Sequence, residues 1–361
     1  MKRFKKMILV LVFVLAFPLE ISAREEGEDY IKEFESILPD GSELQAEELI
    51  SGIGVDKLLS VIFSSVSEHS GEVVGFFLML LGLGLLFSLG DFSLPVGNRG
   101  ISAAVRAGIS AISALLVFSR LRGLVFSVEE GLSVISSFFS SLIPIITGIS
   151  LASGAVTTAS IQAINMNLTL GIIGKLSSSV LLPMVFMIFA LALTSSVGDG
   201  GAGRIAKGVR SVFNWLLGIL TTLLVASISM QSFLAVTKDN TALRAAKFAL
   251  SGSIPIVGAT VSGALATLTG ALSEAGGIVG IGAVFVIFTM AASPIIIMLL
   301  YRLALSASIS VFEFVGAGSV NPSFSAFRSA LDVLISVYAI SAVVYILEIV
   351  IFIRGGVNVF V

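Results

Sequence analysis

The 361-residue chain is 56% hydrophobic and only 12% charged, with a mean hydropathy of +1.07; water-soluble domains carry about 25% charged residues, so a soluble fold is excluded. Cysteine is absent and His69 is the single histidine, which removes disulfides, thiolate chemistry and metal centres built on those residues. The net charge of −2 hides an asymmetry: residues 24–72 hold thirteen acids against three bases, and the chain beyond them nine acids against fourteen bases.

The first element is an export signal. Lys2, Arg3, Lys5 and Lys6 precede an apolar stretch at residues 7–17, too short to span a bilayer comfortably, and Pro18 ends it. Small residues then offer cleavage between Ala23 and Arg24. Whether this leader (residues 1–23) is removed or stays as an anchor, residues 24–72 are expected outside the cytoplasm. Within that acidic segment Tyr30, Ile31, Phe34, Ile37 and Leu38 form a helical stripe ending at the turn signal Pro39-Asp40-Gly41. Val55, Leu58, Leu59, Ile62, Phe63 and Val66 form a second, amphipathic one. Two helices folded on each other and a docking surface both fit these stripes. His69, among Ser67, Glu68 and Ser70, reads as a solvated residue.

Residues 73–361 form a polytopic membrane domain. Apolar runs occupy residues 73–89, 101–118, 132–149, 155–174, 178–196, 212–236, 277–300 and 331–353. Each approaches the roughly 20 residues that a spanning helix needs. None alternates as a barrel strand would. The fold class is therefore all-α, a transmembrane helix bundle of about eight spans with a short acidic helical exported segment. A ninth run at residues 249–272 is rich in Gly, Ser and Thr and broken by Pro255, which suits a re-entrant element. The third and fourth runs suit a tight hairpin. Loop charge gives a divided vote on orientation: Arg204, Lys207, Arg210, Arg302 and Arg328 fall inside, whereas Arg120, Arg122, Lys238, Arg244 and Lys247 fall outside.

Ile143-Pro144-Ile145-Ile146 resembles Ile254-Pro255-Ile256-Val257 at an offset of 111 residues, which Pro183 with Pro294 and Met187 with Met298 repeat. Duplication of residues 132–236 in 249–353 and coincidence in an apolar chain both account for it. Broken helices at matching repeat positions are one way that transporters build a site.

Charged residues within apolar runs need a partner or a polar interior. Arg106, Glu313 and Glu348 are the candidates, and Gln162, Asn165, Asn167, Asn214 and Gln231 add polar points that serve more often as interhelical glue than as ligands. The segment from Lys238 to Phe248 places Arg244 and Lys247 on one helical face, fit for headgroup phosphates or an acidic partner, before Pro255 and Gly258 redirect the chain. No enzyme is expected. Ser196-Val197-Gly198-Asp199 lacks the first glycine of an intramembrane aspartyl-protease motif, and neither a nucleophile–base pair nor a phosphate loop is present. No cofactor is expected either. Nucleic-acid binding is disfavoured by the lack of a basic stripe interleaved with aromatics.

Arg244-Ala245-Ala246-Lys247-Phe248 followed by Ile254-Pro255-Ile256-Val257-Gly258, with Trp215-Leu216-Leu217-Gly218 upstream, resembles the central signature of the stage III sporulation protein AE family of endospore-forming bacteria. The resemblance covers essentially the whole chain. It implies a protein of the outer forespore (mother-cell) membrane with its N-terminal segment extracytoplasmic. It also implies a component, conduit or platform, of the secretion-like channel between mother cell and forespore. The implied partners are sibling proteins of the same operon, including a ring-forming protein and a secretion-type ATPase, and a forespore-side protein; small residues suit a homo-oligomer. The resemblance brings no catalytic residues. The alternative reading is a self-contained secondary transporter.

Overall fold

The computed structural model describes residues 28–38, 55–93, 99–194, 258–316 and 321–357, with short stretches between 204 and 222. All regular structure among them is helical. In chain order come α1 (Glu28–Ser36), α2 (Val55–Ser93), α3 (Arg99–Ala152), α4 (Val156–Lys175), a π-helical segment (Leu176–Leu181), α5 (Leu182–Thr194), α6 (Gly258–Phe314) and α7 (Asn321–Val357).

Apolar runs that the sequence separates are joined here. The second and third runs lie in α3, one helix of 54 residues, because the segment between them has charged residues and single glycines but no proline. Charge does not stop a helix; a missing N–H or a cap does. The amphipathic stretch from Val55 likewise continues without a break into the first run, making α2 39 residues long. The fourth and fifth runs are linked by the π segment. The ninth run, from Gly258 onward, is the start of the 57-residue α6, which carries Pro294 inside it. Among the described residues four helices are long and apolar enough to cross a membrane: residues Leu59–Ser88, Ala107–Ala152, Gly276–Phe314 and Ser323–Phe352. The hairpin expected between the third and fourth runs is present, closed by Ser153-Gly154-Ala155 with Gly154 at φ 82°. The leader (residues 1–23), residues 39–54 and 223–257 lie outside the described residues, and both proposed repeats run into such segments.

α7 is the centre. Two-thirds of its apolar window is buried, against 28% for α2 at the edge. α6 and α7 form an antiparallel pair: Phe312 packs on Phe324 near the turn, Tyr338 donates to the Met290 carbonyl at 3.4 Å, and Gly276 lies near Phe352. α2 runs parallel to α6, with Phe76 against Tyr301 and the Ser88 hydroxyl donating to the Val315 carbonyl at 3.0 Å. α3 runs parallel to α7, with Phe139 stacked on Tyr345 and Ser136 hydrogen-bonded to it at 2.9 Å. Phe189 of α5 bridges Phe118 of α3 and Phe327 of α7. α1 buries Ile31 and Phe34, the latter edge-on to Phe138 of α3, as its stripe predicts. Two close approaches require glycine: a Cβ at Gly84 would fall 2.2 Å from the Phe312 ring, and one at Gly131 2.5 Å from the Tyr338 hydroxyl.

Candidate functional site

Two polar groupings interrupt this apolar core. The first is a layer of charge at one level of the bundle. Asp332 of α7 is paired with Arg302 of α6 and, at 2.7 Å, with Arg210. One turn before Asp332, Arg328 reaches the Ser306 hydroxyl of α6 at 3.5 Å, which is a weak contact. The parallel register of α2 and α6 brings Glu72 to the same level, where the Tyr301 hydroxyl donates to its carboxylate at 2.8 Å. Arg120 of α3 lies beside them, lining with Glu72, Phe76, Met79 and Tyr301 a cleft of about 320 Å³. Two arginines share the Asp332 carboxylate, and with Arg328 and Arg120 against Glu72 the described layer carries excess positive charge.

The second grouping is a buried polar seam. Thr158, Gln162, Asn165 and Thr169 recur on one face of α4 at steps of four, three and four, and all are buried. Glu348 and Ser341, each 1% exposed, are the buried polar residues of α7 on that half of the bundle. The Thr169 hydroxyl sits beside the Glu348 carboxyl, yet no well-formed hydrogen bond joins them. Both Glu348 oxygens, the Asn165 amide nitrogen and the Ser341 hydroxyl likewise have no hydrogen-bond partner among the described residues. Such groups are costly in a packed interior and mark places where function outweighs stability. The π segment follows α4 directly, and π turns are frequent at functional sites. Chemically, a carboxyl flanked by hydroxyl and amide can bind a cation or exchange a proton.

Glu348→Gln keeps the shape and removes the charge. The expected result is a gain of about 1–3 kcal/mol in unfolding free energy, since an unpaired buried carboxyl is replaced by a neutral isostere. Thermal unfolding of the purified variant in detergent checks it, and a loss of stability would mean that Glu348 has a partner in the folded protein.

Of the residues that the sequence singles out, Glu348 lies in this seam, where no basic residue among the described ones meets it. Glu313 is exposed near the end of α6 and accepts from the Asn321 amide at 3.2 Å. Arg106 lies two turns into α3, and Gly258 is the first residue of α6. Ala23, Arg24, Arg244, Lys247, Pro255, Asn214 and Gln231 lie outside the described residues. Gln162 and Asn165 are interhelical, whereas Asn167 is exposed and bonds its own helix at 2.8 Å. His69 bonds the Ser65 carbonyl one turn back. Arg302, Arg328 and Arg210, counted from sequence as loop charges, are instead tied into the bundle, and Asp332 was not singled out at all. The available signal was Arg328 and Asp332 one turn apart at the start of an apolar run. Among the described residues no group of three His, Cys, Asp or Glu side chains could hold a metal ion.

Comparison with known proteins follows the same line. The family model described as Stage III sporulation protein AE matches residues 41–356. The chain is also similar to the Stage III sporulation protein AE of Bacillus subtilis (strain 168), 20% identical over 335 residues that cover 91% of this chain and 84% of that protein. No solved structure matches.

Proposed function

The chain belongs to the stage III sporulation protein AE family, and from that premise we propose that it is the membrane platform of a secretion-like channel linking mother cell and forespore. In this reading it sits in the outer forespore membrane with residues 24–72 on the far side from the mother-cell cytoplasm. The observation that carries the platform role is the filled centre of the bundle. Tyr338, Tyr345, Phe139 and Phe327 occupy the space around α7 with almost no exposure, so a passage forms between subunits or partners, not through one copy. The same filling disfavours a self-contained transporter, whose substrate site would lie among these helices. The acidic exported segment and the helical surfaces around it serve as the docking face for a ring-forming sibling protein. A secretion-type ATPase supplies energy from the cytoplasmic side.

The test is purification of the tagged full-length protein from sporulating cells after crosslinking. Recovery of several copies together with proteins of the same operon is expected. Recovery of single copies free of any such protein, in cells that still complete sporulation, would overturn the proposal.

A further inference from the structure

At 1.5 Å per residue, α3 and α6 are about 81 and 86 Å long, whereas a bilayer's hydrocarbon core is about 30 Å thick. Most of each helix must therefore stand outside lipid. The layer of Glu72, Arg120, Arg302, Arg328 and Asp332 divides the bundle into two apolar zones along its axis. We infer that the bilayer occupies only the zone between this layer and the α2–α3 connection, and that the other zone, holding the α3–α4 hairpin and Glu348, is a buried bundle projecting out of the membrane. Neither the sporulation reading nor the direction of threading enters this inference.

The membrane zone has the right dimensions and surface. From Glu72 to Asp91 on α2 is about 28 Å, and from Arg120 back to Arg99 on α3 about 31 Å, both close to one hydrocarbon thickness. Between those limits the described exposed side chains of α2 and α3 are uncharged, and Leu78, Leu85, Leu86, Ile112, Leu115 and Leu116 face outward. The α6–α7 turn, with Gly316 at φ 79°, lies beside Ser88 and so reaches the same edge, where Glu313 is exposed.

The other zone has a surface unsuited to hydrocarbon. α1 docks through Phe34 on Phe138, about 27 Å along α3 from Arg120, and exposes Lys32 and Glu33 at that depth. Glu68 on α2, Glu130 on α3 and Lys175 on α4 are exposed there too. Apolar side chains are also exposed: Phe63, Val134 and Leu168 lie within two turns of one of those charges, whereas Leu151, Val156 and Ile164 around the α3–α4 hairpin lie farther from them and suit a protein-facing surface. Charge exposed at such depth is expensive in lipid and ordinary on an aqueous or protein-facing surface. The apolar residues of this zone are accounted for by burial: α6 from Gly276 to Ile287 is buried at all but one position.

The cysteine-free chain permits a direct test. Single cysteines replace Glu130, Ser160 and Asn167 in the projecting zone and Gly82, Leu86 and Ile112 in the membrane zone, in full-length protein reconstituted into liposomes. N-ethylmaleimide, which crosses membranes but reacts with thiols in water, is expected to label the first set at least about tenfold faster than the second. Labelling of the second set faster than the first would overturn the inference. A fluorophore on the same cysteines, read in liposomes with brominated acyl chains, separates lipid cover from protein cover. Strong quenching at the Gly82, Leu86 and Ile112 positions, with none at Ser160 or Asn167, supports the inference even where Ser160 or Asn167 labels slowly. Quenching at Ser160 and Asn167 equal to that at Leu86 would overturn it.

Discussion

Asp332→Ala is expected to lower the unfolding free energy by about 2–4 kcal/mol, more than any other change to a polar side chain of the bundle. The carboxylate holds Arg302 and Arg210. Without it those two guanidiniums lose the carboxylate that they share, and removing one partner of a buried pair costs far more than the pair itself contributes. The arginines of the pair are about one-third exposed (37% and 33%) and Asp332 only 10%, so water screens part of the repulsion and the figure stays below that of a fully buried pair. Replacing both sides of the α6–α7 contact, Asp332→Leu with Arg302→Leu, is expected to recover most of the loss, because two apolar groups need no countercharge. Thermal unfolding in mild detergent reads both variants. A loss under about 0.5 kcal/mol for Asp332→Ala would reduce the layer to an ordinary surface ion pair.

The second large effect concerns the helix contacts that depend on a missing side chain. Gly84→Val places new atoms where the Phe312 ring lies, with the first carbon only 2.2 Å and 2.4 Å from two ring atoms. Phe312 cannot move freely because it is buried and packed on Phe324 at 5.1 Å. Overpacking of this kind costs about 1–3 kcal/mol, and Gly131→Val, aimed at the Tyr338 hydroxyl at 2.5 Å, belongs in the same range. Gly82, two residues away on the opposite face of the same helix, has open space where a Cβ would go. Gly82→Ala should be neutral or stabilising by up to about 1 kcal/mol, as for glycine in any helix interior. A second substitution, Phe312→Ala, tests the cause: in the Gly84→Val background it should cost less than in the parent chain. Melting temperatures that fall equally for Gly82 and Gly84 would show that helix propensity, not the α2–α6 contact, sets the outcome.

How far the sequence reads correctly depends on what each signal measures. Periodicity in residues 30–38 marks a helix and its buried stripe, and Ile31 and Phe34 are the residues buried. It is a local property that tertiary packing only completes. The apolar runs mark which residues are hidden from water, but not where helices end. Arg120 and Arg122 look like loop charges because they separate two runs, yet they lie within α3. Glu348 is conspicuous in sequence as a charge in an apolar run. Arg106, the basic residue among the intramembrane candidates, lies on α3 far from it along the bundle, near the opposite end of that helix. Asp332 is inconspicuous because its importance comes from arginines on two other segments.

Composition and pattern by themselves determined that the chain is helical, membrane-associated and a member of its family, because hydropathy, periodicity and signature residues are written along one dimension. Only the tertiary structure decided that the second and third runs share one helix and the fourth and fifth are joined through a π turn, that scattered charges meet at one level, and that Glu348 meets no basic residue among the described residues. Those outcomes follow from helix register and packing, in which residues hundreds of positions apart become neighbours.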